Sequence, residues 1–354
     1  MKIAIDCRMY SQSGIGTYLR EILPYILKEK YEFLLIGDMY KIGHLEYENI
    51  EILHCKIPIF SVKEAIGFPV KKINECDKFY TPNYNIPWGI KIPIFSTIHD
   101  VVFLDMPEII NSYIGFKIRK LFLKRAVKIS EVIFTVSNFS KSRIEKYFGI
   151  EKKKNVTGNG ISNHIIEHKH QIYDKNYNED YIIFVGNFKK NKGLKILLDA
   201  FEIAKKNGYN KKLIIVGSLE NFRTKDDVIL NYIKKFSRGD VIFTGYVNDE
   251  KLREMISNAF ALVQPSLYEG FGIPPLEALF LGTEAIVSDI EVFKEVYSDL
   301  PVRYFKTEDS KNLAEVLIKL KRESRDLYEM REFILRKFSY EKIAQIIIND
   351  LGKH

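Results

Sequence analysis

The chain has 354 residues, 46% of them apolar and 28% charged, with a net charge of +8 and three cysteines. That length suggests two domains with separate cores, and the composition is ordinary for a soluble globular protein. No apolar run reaches the ~18 residues of a membrane span, the opening Met1-Lys2-Ile3-Ala4-Ile5-Asp6 looks like a strand rather than a signal peptide, and Cys7, Cys55 and Cys76 fit neither a disulfide framework nor a zinc spacing. A reducing cytoplasm is the expected setting. The charge is uneven: residues 1–170 hold 25 Lys+Arg against 18 Asp+Glu, a balance of +7, and residues 171–354 hold 29 against 28, or +1. A basic first half points to an anionic partner there, either a membrane surface or a phosphate-bearing acceptor. Nucleic acid is not expected, since no zinc finger or RNA-binding signature accompanies the charge.

Short apolar runs alternate with helix-patterned stretches, which predicts α/β domains with parallel sheets. In the first half the runs place strands at Lys2–Asp6, Phe33–Ile36, Ile50–Leu53, Ile92–Ile98 and Val132–Val136. Gly14-Ile15-Gly16-Thr17 follows the first strand and opens a helix ending near Ile26. On its own a G-x-G is adequately explained as a tight turn. The aromatic and apolar stretch Ile57–Val70, beside Lys71-Lys72, is one candidate contact surface. His99-Asp100 ends the run Ile92–Ile98, where α/β strands deliver ligand-binding residues; a structural histidine and a turn aspartate are the plainer alternatives. Tyr113–Lys128 has helical spacing, with Lys117, Arg119, Lys120, Lys124, Arg125 and Lys128 among Phe116, Leu121, Phe122 and Leu123. An ordinary solvated face explains that pattern, and a face laid on anionic lipid is the functional alternative. Ser137 is placed to cap the next helix.

The polar stretch His164 to Asp180 lacks pattern and is the linker candidate, separating a domain at 1–165 from one at 178–338. Beyond it, strands are expected at Tyr181–Gly186, Leu213–Gly217, Val241–Gly245, Ala261–Gln264 and Ala285–Ser288. Val185-Gly186-Asn187-Phe188-Lys189-Lys190-Asn191-Lys192-Gly193 links a strand to the helix Leu194–Ala204. A lysine at such a junction can reach a diphosphate as its charge develops; a solvated loop is the alternative.

The most informative stretch is Glu269-Gly270-Phe271-Gly272-Ile273-Pro274-Pro275-Leu276-Glu277. Its glycines let backbone amides approach a ligand, and the helix it feeds adds free N–H groups and a positive dipole end. Pro274 and Pro275 suit the first helical positions, and a carboxylate is expected in the same turn. Two glutamates eight residues apart bracket this anion site. A phosphate on the turn, with the glutamates accepting bonds from hydroxyls on either side, is the chemistry of a nucleotide-sugar pocket. Capping by Glu277 and solvation of Glu269 is the plainer reading. The last helix is expected from Ser339, as N-cap, to Leu351, with Ile343, Ile346, Ile347 and Leu351 at helical spacing.

With its internal Gly-Phe-Gly, the E-x7-E segment resembles the retaining glycosyltransferases of family 4. The similarity runs from residue 2 to about residue 340, and this segment is its specific part. It implies the GT-B fold: two doubly wound Rossmann-like domains facing a central cleft, with the C-terminal helix, residues 339–354, crossing back to the first domain. Carried over, Glu269 faces the donor sugar, Glu277 holds the ribose, and the amides of Gly270, Phe271 and Gly272 hold the phosphates. Asn187 and Lys192 stand where family members aim an Arg or Asn and a Lys at those phosphates. Because Asn187 replaces the more frequent Arg, Lys192 carries more of the neutralisation. His99, within Ser96-Thr97-Ile98-His99-Asp100-Val101, matches the histidine that reaches the donor sugar. The loop holding Gly16 lines the cleft beneath the phosphates, and Asp6 and Arg8 before it match members resembling mannosyl- and rhamnosyltransferases. Gly245-Tyr246-Val247, followed by Asn248 as cap, resembles the segment holding the base. Val216-Gly217-Ser218 resembles a further wall, and Asn159-Gly160-Ile161 completes the pattern.

The resemblance implies a retaining hexosyltransferase using a nucleotide-diphosphate sugar, GDP-mannose or a similar donor. Its acceptor is expected to be a saccharide or lipid-linked saccharide of cell-envelope polysaccharide synthesis, met at the inner face of the membrane. No Asp-x-Asp segment is present, and Glu75-Cys76-Asp77 lies outside the donor motifs, so neither a metal nor a bound cofactor is expected. The rival reading is a non-catalytic GT-B protein that binds nucleotide sugar or acts as a scaffold. The presence of Glu269, Lys192, His99 and Glu277 weighs against it, and the complete E-x7-E segment weighs against a sugar phosphorylase or epimerase on the same fold.

Overall fold

The computed structural model describes residues 1–12, 14–45, 47–59, 61–149, 153–167, 181–217, 239–322 and 326–353. The chain divides into two compact units, one of Met1–Ser162 with Phe338–His354 and one of Asn163–Lys337. The expected linker begins inside the short helix Asn163–Ile166, and its residues 168–180 lie outside the described residues. Among the described residues no helix is long and apolar enough to cross a membrane.

In the first unit the strands are β1 (Lys2–Asp6), β2 (Glu32–Gly37), β3 (Ile50–His54), β4 (Lys78–Thr81), β5 (Ile94–Ile98), β6 (Val132–Thr135) and β7 (Lys153–Val156). They form one sheet in the order β3-β2-β1-β4-β5-β6-β7, with every pairing parallel. Inner strands of a parallel sheet are covered on both faces, so they are continuous apolar runs rather than alternating ones. Ile3, Ala4, Ile5 and Phe33 to Ile36 are accordingly all fully buried.

Two strands, β4 and β7, were not expected from the runs, because both begin on lysine. Lys78 is nevertheless buried, and its ammonium donates to the carbonyl of Leu351 at the end of the helix Tyr340–Gly352. A helix C-terminus presents unpaired carbonyls and partial negative charge, which is what permits a cation inside the sheet. On β7, Lys153 and Asn155 both donate to buried Asp350 of the same helix, the first at 2.6 Å.

That helix packs on the helix Ile15–Ile26, so the end of the chain is part of the first unit, as the family resemblance implied. Its other end is fixed by Tyr340, whose hydroxyl donates to Asn159 Oδ1 at 2.8 Å. The ring of Tyr340 needs Gly160, where a Cβ would come within 2.6 Å of it. Ser339 takes the N-cap position, but its hydroxyl makes no capping bond. Ring packing and the Asn159 bond hold the helix start instead. Cys7, Cys55 and Cys76 are buried and free.

The second unit holds β8 (Tyr181–Val185), β9 (Lys212–Val216), β10 (Val241–Gly245), β11 (Ala261–Gln264), β12 (Glu284–Ser288) and β13 (Arg303–Phe305). Their order is β10-β9-β8-β11-β12-β13, again parallel throughout. The three-residue edge strand β13 is too short to leave a sequence pattern. The helices Leu194–Lys206 and Ser310–Lys319 cover one face, burying Leu197, Leu198, Phe201, Leu313 and Leu317. All ten expected strands are present across the two sheets, within two residues at either end. Strand order reverses between β1 and β4 in one sheet and between β8 and β11 in the other. In doubly wound sheets such switch points are where strand carboxyl ends open towards ligands.

Candidate functional site

The loops that follow β8 and β11 straddle the switch point of the second sheet, and they are clamped together. Lys190–Lys192 is a single 3-10 turn, and Gly193 leaves it with φ 65° to start the next helix. A Cβ at Gly193 would overlap the carbonyl oxygen of Pro265, so only glycine lets the loops close. Asn191, buried between them, donates from Nδ2 to Tyr268 O at 3.1 Å and accepts at its main-chain carbonyl from Leu267 N at 2.7 Å. This closure sets the Lys192 ammonium 2.6 Å from Glu269 Oε1. The same oxygen accepts from Ser266 Oγ at 2.7 Å and Gln264 Nε2 at 3.4 Å. Glu269 is 8% exposed, and a carboxylate so placed must be paired. All three bonds fall on Oε1, so none of them takes Oε2. Lys192 keeps 23% of its side chain accessible.

Below the glycine turn, Gly272 has φ 89°, and a Cβ there would overlap the ring of Phe293. Tyr297 Oη donates to the Gly272 carbonyl, fixing the turn from beneath. The helix then runs Ile273–Phe280, with Pro274 and Pro275 in its first turn and no acidic residue there. The carboxylate expected in that turn is one turn deeper: Glu277, 8% exposed, lies past the capping-box position. Helix geometry therefore removes the capping explanation for Glu277.

A row of strand ends continues across β8, β9 and β10. A Cβ at Gly217 would overlap the Gly186 carbonyl, Gly186 N donates to Val216 O at 3.0 Å, and Gly217 N donates to Gly245 O at 3.1 Å. Asn187 and Tyr246 are exposed on this edge and Val247 is half-buried. Asn248 caps the next helix through Lys251 N at 2.9 Å, as expected. Ser218 lies outside the described residues.

Gly16 and His99 belong to the first unit. A Cβ at Gly16 would overlap Met9 O, so the glycine seats the helix Ile15–Ile26 against the β1 loop. Tyr18 on that helix meets the His99 ring edge-on, with centroids 4.8 Å apart. His99 Nε2 donates to Pro82 O at 3.2 Å, and burial lowers its pKa from 6.5 to about 4. The imidazole is therefore neutral at neutral pH.

The first unit also holds a group the sequence showed only in part. Arg8 pairs with Asp6 at 2.7 Å and with Glu64 at 2.6 Å, and their side chains are only 4%, 6% and 3% exposed. Burial works against the guanidinium charge, but the two carboxylates outweigh it and hold its pKa above the ordinary value. Glu64 also accepts from Asn85 Nδ2 at 2.6 Å, and the Arg8 guanidinium lies 4.4 Å over Phe68. Buried Phe68 and core-packed Ile57 line the interior, so at these positions Ile57–Val70 is not a contact surface.

Two doubly wound parallel units, the first completed by a helix from the end of the chain, make the GT-B fold. Sucrose-phosphate synthase from Thermosynechococcus elongatus shares it at 16% identity and TM-score 0.70, covering 100% of this chain and 98% of that one. So does Anabaena HepE, solved with UDP and glucose, at 17% identity and TM-score 0.74, covering 100% of each chain. Residues 165–334 match the family described as Glycosyl transferases group 1, and the chain is a glycosyltransferase of GT-B fold. It is 27% identical to the O-antigen chain mannosyltransferase RfbU of Salmonella typhimurium, over 73% of this chain and 69% of that protein. It is 26% identical to O-antigen chain mannosyltransferase B of Escherichia coli, over 62% of this chain and 59% of its relative.

Proposed function

We propose that this glycosyltransferase is a retaining hexosyltransferase of family 4. In this reading it moves a hexose from GDP-mannose or a similar nucleotide-diphosphate sugar to a saccharide or lipid-linked saccharide acceptor. The setting proposed is cell-envelope polysaccharide synthesis at the cytoplasmic face of the membrane, in keeping with the names of the Salmonella and Escherichia relatives. The observation that carries the reading is the Lys192–Glu269 pair, held at the switch point by loops that only glycines allow to close.

In this assignment the Lys192 ammonium faces the diphosphate, where a fixed cation counts most as the glycosidic bond breaks. Glu269, oriented through Oε1 by Lys192, Ser266 and Gln264, offers Oε2 to a hydroxyl of the departing sugar. The amides of Gly270, Phe271 and Gly272 and the side chain of Asn187 hold phosphate, Glu277 accepts from the ribose, and Gly217, Tyr246 and Val247 hold the base. His99, neutral and therefore no competing cation, meets the donor sugar, and Gly16 lies beneath the phosphates. The acceptor oxygen forms its bond to the anomeric carbon on the face from which the diphosphate leaves. Its proton passes to the leaving diphosphate oxygen. With Lys192 supplying the positive charge, the reaction is proposed to need neither metal nor cofactor.

The test is a transfer assay with a panel of nucleotide sugars in EDTA, with the product anomer assigned by NMR. Transfer with retention is expected. Failure of every donor, inversion, or strict dependence on added magnesium or manganese would each sink the corresponding part of the assignment.

A further inference from the structure

The helix Tyr113–Ile129 buries Leu123, Ala126 and Val127 on one face. Its opposite face is not the usual polar one. Ile114, Ile118 and Leu121 are 70%, 44% and 58% exposed, and at roughly 100° per residue they form one stripe about 60° wide, opposite Leu123. An amphipathic surface helix normally turns such residues inward. The helix contains no acidic residue, and Lys117, Lys120, Lys124 and Lys128 run along one side of the stripe. Among the described residues none of these four lysines has a carboxylate partner. Elsewhere surface lysines do, as in Lys195–Asp199 and Lys251–Glu254.

At the C-terminal end of the stripe, Arg125 turns back over Trp88, 4.1 Å from the ring centroid, and donates to Ile86 O at 2.6 Å. Trp88, the only tryptophan of the chain, is 47% exposed.

We infer that this face, together with Trp88, docks on an anionic lipid bilayer. The aliphatic stripe enters the boundary between headgroups and acyl chains, while the lysines meet lipid phosphates. Charge complementarity selects this occupant, because a rim of unpaired cations calls for an anionic surface. A second copy of the chain would bring like charges together, and three aliphatic residues fall well short of the roughly 800 Å² per partner of a stable protein interface. The inference needs no nucleotide and does not rest on the donor-site assignment.

Trp88 supplies the readout. Its fluorescence should shift to the blue, and the protein should co-float, with phosphatidylglycerol vesicles at low salt but not with phosphatidylcholine vesicles. Added salt should weaken binding, because exposed charges are screened within ~8 Å at physiological ionic strength. Ile114→Ser with Leu121→Ser should lower partitioning at least tenfold. Lys117→Glu, Lys120→Glu and Lys124→Glu together should remove the preference for the anionic lipid. Both variants should melt, and bind nucleotide, as the wild type does. Wild-type protein that ignores phosphatidylglycerol vesicles at low salt, or binds the neutral ones equally, overturns the inference. So does unchanged partitioning of the Ile114, Leu121 variant. A dimer that forms without vesicles and dissociates in that variant would assign the face to a second copy instead. Loss of nucleotide binding in the wild type would count against the donor site alone.

Discussion

The two units share a doubly wound plan but put their charged groups to different uses. In the second unit the charges are few at the switch point, and backbone contact does the positioning: Gly193, Gly217 and Gly272 each stand where a Cβ would overlap a neighbour. The Lys192–Glu269 pair is thereby left partly accessible. In the first unit the charges are inside and act as fasteners, with Arg8 between Asp6 and Glu64, Lys78 on Leu351 O, and Asp350 on Lys153 and Asn155. The lesson is that similar substitutions should be felt as lost turnover in one unit and as lost stability in the other.

Arg8→Met gives the largest expected effect. It leaves two buried carboxylates facing each other without a cation, a change worth about 3–5 kcal/mol of stability. Denaturant unfolding should show the first unit melting early. A loss within ~0.5 kcal/mol, the range of an ordinary surface substitution, would break the comparison.

Lys192→Ala should do the reverse, removing about 2–4 kcal/mol of transition-state stabilisation while moving the melting temperature far less than Arg8→Met does. Steady-state kinetics with the best donor decides the point. Turnover within a few-fold of wild type would remove Lys192 from the chemistry.

A smaller effect concerns acid. His99 titrates at about 4 when folded and near 6.5 when unfolded, so between those values the unfolded chain binds more protons. Its contribution, on the order of 3 kcal/mol, is complete above pH 6.5 and is lost as pH falls towards 4. His99→Gln should flatten that part of the stability profile, and an unaltered profile would place the acid sensitivity elsewhere.

Smallest, Glu277→Gln should weaken nucleotide binding roughly tenfold in calorimetry, about 1.4 kcal/mol, by loss of a charged acceptor. Unchanged affinity with a lower melting temperature would make Glu277 a structural residue of its helix.

What was legible in the sequence was local. Glu269 to Glu277 and Asn187 to Gly193 are single runs whose glycines, prolines and charges announce a strand, a turn and a helix in sequence order. What they touch was not legible, because Asn191, Ser266, Gln264 and Tyr297 acquire their roles only when the β8 and β11 loops meet. The same holds for Glu64, which reaches Arg8 from a separate segment, and for Asn85, which donates to Glu64 from another. Strands β4 and β7 were hidden for a related reason, since the lysines that broke their apolar pattern serve the C-terminal helix. In Tyr113–Ile129 the composition gave the cations, but only the packing told which apolar residues face outward.

The return of Tyr340–Gly352 to the first unit has a consequence for how the protein is made. Residues 1–162 emerge from the ribosome with Lys78, Lys153 and Asn155 prepared for partners that do not yet exist. All of Asn163–Lys337 must be synthesised first, which at ~5–20 residues per second takes roughly 10–35 seconds. During that interval the apolar flank of Ile15–Ile26 stands uncovered, and the second unit, contiguous in sequence, can close before the first is finished. The first unit to be translated is thus the last to be completed.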